Sequence, residues 1–313
     1  MSQNVGIMLN TGTGIFGSQV TYQIGYWAYN MVVVDVNGDN SPDIIVANSE
    51  QSSIGVLLNT GSGTFGNQVT YWGGYYPRGL AVADINGDSR PDIVVTNTYS
   101  NNINILLNTG GGTFGGPTTY SANSYVYSVD IADVNGDGHP DIVVTNAASN
   151  TVGVRINTGS GFFSGEVTYL VGSWPTGLTV ADVNADNFPD IIVTNTYSNN
   201  VGVLLNTGSG SFGAQVIYAV GNSPNFVTVA DVYGDSLPDI IVANTGSSTV
   251  GVLRNKGSGV FDTQVIYPVD NSPYCVTVAD VNGDGRQDMI VANGGSNDVG
   301  VILTDCICRQ CWN

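Results

Sequence analysis

The feature that most constrains this chain is a repeat of 49 residues. Six Asp-initiated loops begin at regular steps of that length, at Asp35, Asp84, Asp133, Asp182, Asp231 and Asp280. A period this long and regular is typical of solenoids, propellers and arrays, in which each repeat is one supersecondary unit that buries its faces only against its neighbours. We therefore expect six copies of one small structural unit.

Each repeat carries the pattern of four short β-strands. In the second repeat, residues 80–85 and 92–97 flank the acidic loop, and the later segment is the continuous apolar run of a strand covered on both faces. A third strand is predicted at 103–108, and a short fourth strand at 116–120. Four short strands per repeat make one propeller blade. We predict an all-β fold, a six-bladed β-propeller that occupies residues 1–305 as one domain.

The two ends of the chain hold incomplete repeats. Residues 5–9 match the third strand at 56–59, and residues 20–22 follow a turn as a fourth strand does. The last repeat lacks a fourth strand, so we expect the N-terminal segment to supply it and to close the ring without open edges. The third strand is then present twice, at 5–9 and at 299–303, so either one copy is displaced or the chain is part of a longer array.

The six acidic loops share one arrangement of oxygen-bearing side chains. Loop positions 1, 5 and 9 are Asp throughout, and position 3 is Asn in every loop except the fifth, which has Tyr233. A hard cation such as Ca²⁺ takes roughly six to eight oxygen ligands, and three carboxylates this close together would repel one another without a cation. Position 7 varies freely, as a backbone carbonyl ligand permits. The sequence predicts up to six calcium sites, with the fifth as the weakest.

The predicted side-chain ligands are Asp35, Asn37, Asp39 and Asp43; Asp84, Asn86, Asp88 and Asp92; Asp133, Asn135, Asp137 and Asp141; Asp182, Asn184, Asp186 and Asp190; Asp231, Asp235 and Asp239; and Asp280, Asn282, Asp284 and Asp288. Backbone carbonyl ligands are predicted from Ser41, Arg90, His139, Phe188, Leu237 and Arg286. An EF-hand is the competing interpretation, but position 12 of the first loop is Val46 instead of a bidentate Glu. Magnesium suits the loops less well, because it prefers an octahedral shell rich in water.

The acidic charge of the chain comes from these loops. The formal net charge is −18, and eighteen of the 25 Asp and Glu residues occupy loop positions 1, 5 and 9. Only seven Lys and Arg residues are present, scattered along the chain, and they cannot neutralise a phosphate backbone. No stretch approaches the roughly 18 consecutive apolar residues of a membrane span. We therefore predict no nucleic-acid partner and no membrane insertion.

Four repeats also carry a Phe-Gly turn, at Phe16-Gly17, Phe65-Gly66, Phe114-Gly115 and Phe212-Gly213. Together with the loops, these turns resemble the FG-GAP (VCBS-type) repeats of integrin α-subunit heads and related proteins, over nearly the whole chain. The resemblance implies propeller blades in which the Asp-rich hairpin loop holds Ca²⁺. Ser164 and Asp262 replace the Gly in two repeats, and an integrin head has one blade more. Because the family includes adhesion receptors, fungal lectins and domains attached to enzymes, the resemblance leaves the role open.

Aromatic residues recur in the segment that joins one repeat to the next. Four of them share one repeat position, at Trp27, Tyr76, Tyr125 and Trp174. One interpretation is packing between blades, and the other is a set of stacking platforms for sugar rings or a peptide. We take these four residues as candidate ligand-binding residues.

Catalytic motifs cannot be assembled from this sequence. The single histidine, His139, lies inside a calcium loop, so a Ser-His-Asp or Cys-His set has no member elsewhere. Cys275 stands alone in the sixth repeat, and three more cysteines lie in a Cys-rich tail at 306–313, whose pairing the sequence does not define. We expect no catalytic residues and no cofactor except calcium.

The sequence favours a recognition module over an enzyme. A lectin-like glycan binder, an integrin-like adhesion or protein-interaction propeller, and an accessory domain of a larger enzyme all fit the repeats, and the aromatic positions favour the first. We expect a monomer. Calcium sites of this kind suit the calcium concentrations outside cells, so we expect an extracellular or secreted protein, although no signal peptide opens the sequence.

Overall fold

A computed structural model describes residues 3–12 and 14–304. Within these residues β-strands are joined by turns and two short 3₁₀ helices, Ser49–Gln51 and Ala147–Ser149, and no helix is long and apolar enough to cross a membrane. The chain divides into two compact units. Unit 1 holds the residues up to Leu9 and Gly17–Thr168, and unit 2 holds Asn10–Phe16 and the residues from Tyr169 onward. The cysteine tail predicted at 306–313 lies outside the described residues.

Each repeat forms one antiparallel sheet, or blade. The chain begins with β1 (Asn4–Ile7) and β2 (Val20–Gln23). Blade 1 follows with β3 (Ala28–Val34), β4 (Asp43–Asn48), β5 (Ser53–Leu57), the short pair β6 (Asn59–Gly61) and β7 (Thr64–Phe65), and β8 (Val69–Trp72). Blade 2 has β9 (Pro77–Ala83), β10 (Asp92–Asn97), β11 (Asn102–Leu106), the short pair β12 (Asn108–Gly110) and β13 (Thr113–Phe114), and β14 (Thr118–Ser121).

The later blades keep the same order of strands. Blade 3 has β15 (Val126–Ala132), β16 (Asp141–Asn146), β17 (Thr151–Arg155) and β18 (Val167–Leu170). Blade 4 has β19 (Pro175–Ala181), β20 (Asp190–Asn195), β21 (Asn200–Leu204) and β22 (Val216–Ala219). Blade 5 has β23 (Pro224–Ala230), β24 (Asp239–Asn244), β25 (Thr249–Leu253) and β26 (Val265–Pro268), and blade 6 has β27 (Pro273–Ala279), β28 (Asp288–Asn293) and β29 (Asp298–Ile302).

The second strand forms the buried centre of each blade. In blades 1 to 5 every residue of this strand is buried, as its continuous apolar sequence predicts for a strand covered on both faces. The strand predicted at 92–97 has those bounds in the structure. The all-β fold, the 49-residue blade and the six repeats are confirmed, and they agree with a six-bladed β-propeller.

Neighbouring blades within a unit pack through their apolar faces. In unit 1, the β4 and β5 side chains Ile45 and Val56 lie in one cluster with Leu80 and Ile93 of blade 2. Phe114, from the Phe-Gly turn of blade 2, packs edge-on against Tyr71 on the fourth strand of blade 1, with ring centroids 5.4 Å apart. The Phe of the Phe-Gly turn therefore packs between two neighbouring blades.

The N-terminal segment does not supply the fourth strand of the last repeat, contrary to our expectation. β1 and β2 pair with each other as a separate two-stranded sheet, and blade 6 has three strands among the described residues. The pairing Asn4↔Gln23 copies the pairing of third and fourth strands inside a blade. Strands joined by a short loop lose less conformational entropy on pairing than distant ones. Both copies of the third strand are formed, β29 inside blade 6 and β1 in the separate sheet with β2.

Candidate calcium loops and aromatic site

The first position of each loop organises the loop backbone. Asp35 directly follows the first strand of blade 1, and its two carboxylate oxygens accept hydrogen bonds from the amides of Gly38 at 2.8 Å and Asn40 at 2.7 Å. Gly38 has a φ of +82°, a backbone conformation that glycine adopts without a steric penalty. The same carboxylate-to-amide pattern recurs in the other five loops. One Asp therefore fixes the bend of a nine-residue loop.

Positions 3 and 5 are held side by side. In the third loop, the Asn135 amide donates to the Asp137 carboxylate at 2.9 Å, and the other Asp137 oxygen accepts from the backbone of His139 at 2.9 Å. These bonds lower the pKa of Asp137, the Asn135 bond most strongly. The predicted ligand oxygens of positions 1, 3 and 5 thus lie within one exposed loop. His139 stabilises this loop through its backbone amide, which donates to Asp137.

Position 9 opens the second strand and is fully buried. The Asp141 carboxylate is not exposed to solvent and accepts hydrogen bonds from the amides of Val134 at 2.9 Å and Asn157 at 2.7 Å. Burial raises the pKa of Asp141 to about 6, and it does the same for Asp190 and Asp239. A buried carboxylate resists ionisation unless a positive charge lies close by. A cation in these loops would supply that charge.

A buried asparagine, which the sequence analysis missed, ties neighbouring loops together. The Asn157 side-chain amide donates to the Ile85 carbonyl of the preceding loop at 2.9 Å and to the Pro140 carbonyl of its own loop at 3.1 Å. Asn108 and Asn255 make the equivalent bonds. In the sequence, this asparagine can be recognised because it opens the Asn-Thr-Gly turn that recurs in most repeats.

Besides its missing Asn, the fifth loop pairs a predicted ligand with an arginine, as the second loop also does between Asp88 and Arg90. The Arg254 guanidinium donates to the Asp235 carboxylate at 2.8 Å and lies over the Tyr233 ring, 5.1 Å from its centroid. This hydrogen bond lowers the pKa of Asp235. A protein cation therefore already neutralises one of the predicted ligands, which adds a second physical reason to expect weak calcium binding at this loop.

The donor set of the loops suits a hard cation. The predicted ligands lie in the hairpin loop between the first and second strands of each blade or, at position 9, on the first residue of the second strand. They offer carboxylate, amide and carbonyl oxygens, the ligands that Ca²⁺ prefers. Over residues 3–12 and 14–304, no group of three or more His, Cys, Asp or Glu side chains is arranged as a metal site. The carboxylates instead hold the amides of their own loops.

The four candidate aromatic residues sit at a strained backbone position. Trp27, Tyr76, Tyr125 and Trp174 each precede the first strand of a blade, with φ between +52° and +62°. Large side chains rarely adopt this left-handed region, and such strain is concentrated at functional sites. A backbone hydrogen bond holds each one: for example, the amide of Thr98 donates to the Tyr76 carbonyl at 3.2 Å.

Three of the four candidates join one aromatic cluster in unit 1. Trp27 packs edge-on to Tyr76 with centroids 6.4 Å apart, and Tyr99 lies 4.5 Å from Tyr76 and 5.9 Å from Tyr125. Trp27 is 40% exposed and Tyr99 is 60% exposed, so the cluster presents ring surface to solvent. We call Trp27, Tyr76, Tyr99 and Tyr125 the aromatic cluster. Tyr99 was not predicted.

An arginine lies beside the aromatic cluster. The Arg78 guanidinium sits between two rings, 4.5 Å from the Tyr29 centroid and 4.3 Å from the Tyr127 centroid. The two tyrosine hydroxyls are hydrogen-bonded to each other. Arg78 also lies 5.4 Å from the Tyr76 ring. The cation–π contacts fix a charged donor at the edge of the cluster.

The fourth candidate belongs to unit 2 and has different neighbours. Trp174 stacks on Tyr197, with centroids 5.1 Å apart and ring planes 13° apart. Tyr197 is 66% exposed and occupies the repeat position of Tyr99. Each unit therefore has an exposed aromatic surface built from the same two repeat positions.

The aromatic positions and the acidic loops lie at opposite ends of the same strand. In blade 2, Tyr76 precedes β9 and Asp84 follows it, and β9 has seven residues. A strand of that length spans roughly 20 Å. A ligand on the aromatic cluster would therefore not touch an ion bound in a loop of the same blade.

Comparison with known proteins agrees with this architecture. The sequence pattern described as an FG-GAP-like repeat matches five overlapping segments, residues 35–95, 84–144, 133–193, 182–242 and 231–291. No curated protein matches the sequence.

Several solved structures share the fold. A lectin from Agrocybe aegerita, solved for its recognition of non-reducing terminal N-acetylglucosamine, is 22% identical with a TM-score of 0.62, covering 96% of this chain and 90% of that one. Virginiamycin B lyase from Staphylococcus aureus is 14% identical with a TM-score of 0.63, covering 92% and 85%. BBS1N, solved in complex with ARL6DN, is 14% identical with a TM-score of 0.65, covering 99% and 87%. At these identities the likeness concerns the fold alone.

Proposed function

Because the chain belongs to the FG-GAP-like repeat family, we propose that it is a calcium-binding β-propeller that recognises a glycan through the aromatic cluster of unit 1. Calcium in the acidic loops would stabilise the blades, and the rings of the cluster would stack on sugar. The observation that carries this proposal is the partly exposed cluster of four aromatic residues beside a fixed arginine, three of which, Trp27, Tyr76 and Tyr125, are held at a positive φ.

Calcium in this account is a structural ion. Positions 1, 3, 5 and 9 supply side-chain oxygens and position 7 supplies a carbonyl in each complete loop. Six bound ions would add twelve positive charges and change the net charge from −18 to about −6. Because the ions would bind the folded protein and hardly the unfolded chain, calcium should raise stability by about 2.7 kcal/mol for each site at a hundred times its dissociation constant.

The aromatic cluster suits a sugar better than a flat apolar partner. Stacking uses the apolar face of a sugar ring, and polar groups at the cluster edge select its hydroxyls. The Arg78 guanidinium and the Tyr99 hydroxyl, which is hydrogen-bonded to Tyr125, are polar groups of this kind at the cluster. A lectin of the same fold recognises terminal N-acetylglucosamine, which makes that sugar a sensible first probe.

The other functional expectations remain proposals of the same account. We propose a non-enzymatic role, because His139 and nearly all Asp residues belong to the loops. We propose an extracellular or secreted location and a monomer. A protein partner is the second candidate function, since BBS1N of similar fold was solved with a protein bound. An exposed aromatic cluster with a fixed arginine also suits a protein surface.

The proposal is tested by titrating the protein with a GlcNAc-terminated oligosaccharide and following the intrinsic tryptophan fluorescence. We expect saturable binding that Tyr99→Ala weakens at least tenfold. Trp72→Ala is the matched control, because Trp72 is 51% exposed on the fourth strand of blade 1 and lies outside the cluster. A series of other oligosaccharides extends the test. Binding to none of them, or equal binding by Tyr99→Ala and the wild type, would contradict the proposal.

A further inference from the structure

One face of blade 6 is exposed where the other blades bury it. Val299 and Val301 on β29 are 49% and 36% exposed, whereas Val250 and Val252 at the same repeat positions of blade 5 are not exposed at all. Leu303, directly after β29, is 41% exposed. On the adjacent strand β28, Ala292 is exposed, whereas its blade 5 equivalent is fully buried. A contiguous apolar surface of this kind marks an interaction site.

The earlier blades have the same face, and there the residues that cover it are known. In unit 2, the blade 5 face with Val250 and Val252 packs against Val276, Met289 and Val291 of blade 6. Those three residues belong to β27 and β28, the first hairpin of the next repeat. The blade 4 face is likewise covered by residues of the first hairpin of blade 5, with help from its third strand and Phe turn. The first two strands of a following repeat are the common cover.

In unit 1, blade 1 also exposes apolar side chains that a later blade buries. Met31 and Val33 on β3 are 55% and 58% exposed, whereas Leu80 at the position of Met31 is 4% exposed. Leu80 is buried by the preceding blade in the blade 1 to blade 2 cluster. The N-terminal strands β1 and β2 cover Ile44 and Leu57 of blade 1 but correspond only to a third and a fourth strand. What they lack is a first hairpin.

We propose that the exposed face of blade 6 is a docking surface for one β-hairpin with the pattern of a repeat's first two strands, presented by another polypeptide that carries a repeat of this kind. The hairpin would place apolar residues of both strands over Val299 and Val301, as blade 6 itself does over blade 5. The outer edge of β29, which pairs with no other strand among the described residues, adds backbone groups for further pairing.

A second copy of this chain does not offer such a hairpin in its folded state. The residues that do the covering are buried within each repeat, with Val227 at 1% and Val276 at 0% exposure. In blade 1, where the first strand is exposed, the second strand is not, since Ile44 and Val46 are each 1% exposed. A folded second copy is therefore excluded, and we assign the role to a repeat hairpin whose apolar residues are not already packed.

A peptide with the sequence of residues 224–244 tests the proposal, because it contains β23, its acidic loop and β24. We expect saturable one-to-one binding to the full-length protein in calorimetry. A control peptide with Val227→Lys, Ile240→Lys and Val242→Lys should not bind, since these three residues do the covering in blade 5. Sedimentation of each peptide alone checks that it is monomeric.

Two variants of the protein complete the test. Val299→Lys combined with Val301→Lys should weaken peptide binding at least tenfold while leaving the melting temperature unchanged, because both side chains are exposed. The same double change at Val216 and Ile217, which are 49% and 56% exposed on β22, should leave binding intact. Absence of saturable binding by the wild type, or unchanged binding by the Val299 and Val301 variant, overturns the proposal. So does a self-association of the wild type that the variant abolishes, since the occupant would then be a second copy.

Discussion

Replacement of Asn157 by Ala tests the role of the buried asparagine that ties neighbouring loops. Asn157 has no exposed surface, and its side chain makes three hydrogen bonds: two donated, to the Ile85 and Pro140 carbonyls, and one accepted, from the Gly159 amide. Alanine removes all three and leaves two carbonyls next to a small cavity. The backbone amide of residue 157 still reaches Asp141, so the acidic loop keeps its predicted ligands.

The expected cost follows from the bonds that are lost. A hydrogen bond in a protein contributes about 1 kcal/mol net, and a buried group left without a partner costs about 1–3 kcal/mol. With two buried carbonyls affected and the Gly159 amide partly able to reach water, Asn157→Ala should lower the free energy of unfolding by about 2–4 kcal/mol.

Urea unfolding in millimolar calcium provides the measurement, with the midpoint compared at a constant slope. Thr158→Ala is the matched control, because the Thr158 hydroxyl is exposed and donates only to the Phe162 carbonyl at 2.9 Å; its cost should stay below about 1 kcal/mol. A midpoint for Asn157→Ala as close to the wild type as that of the control would show that the Asn157 bonds do not stabilise the fold.

Three further predictions concern the loops and the buried thiol. Tyr233→Asn combined with Arg254→Met should strengthen calcium binding at the fifth loop, because it adds a ligand oxygen and removes the cation that neutralises Asp235; calorimetric titration should resolve one additional tight site, and an unchanged stoichiometry would contradict this. In EDTA, burial raises the pKa of Asp190 from 3.8 to about 6, so its contribution to the free energy of unfolding is fully present below pH 3.8 and is lost as pH rises through 6. Asp190→Asn should flatten the dependence of stability on pH in this range, and an equally steep dependence would contradict the prediction. Burial raises the pKa of Cys275 to about 11, so with the tail cysteines replaced by serine the native thiol should react with a disulfide reagent at pH 8 at least tenfold more slowly than in denaturant; equal rates would contradict the burial.

Much of the blade could be predicted because six copies carry the same signal. The strand at 92–97 and the loops before it follow from hydrophobic runs and regularly spaced Asp residues, which are local properties of the sequence. The pairing of the N-terminal strand could not be predicted in this way. Residues 20–22 fit either the last repeat or their own hairpin by pattern, and only the shorter connection distinguishes the two.

The aromatic cluster could be predicted only in part. Trp27, Tyr76 and Tyr125 share a repeat position, so the sequence pointed to them. Tyr99 follows a second strand, and its neighbours come from two repeats, so its contact with Tyr76 and Tyr125 is a property of the fold. The bonds of Asn157 were missed for the same reason, since Ile85 lies 72 residues earlier in the chain.

Binding of the protein to a broad glycan array, measured in calcium and again in EDTA well below the melting temperature, shows whether the aromatic cluster is a glycan site. We expect a selective set of bound glycans that Trp27→Ala and Tyr99→Ala both abolish. Chelation should leave this set unchanged while lowering the melting temperature, because the loops and the cluster lie at opposite ends of the first strand. An array without bound glycans, or a bound set that both variants retain, would contradict this expectation.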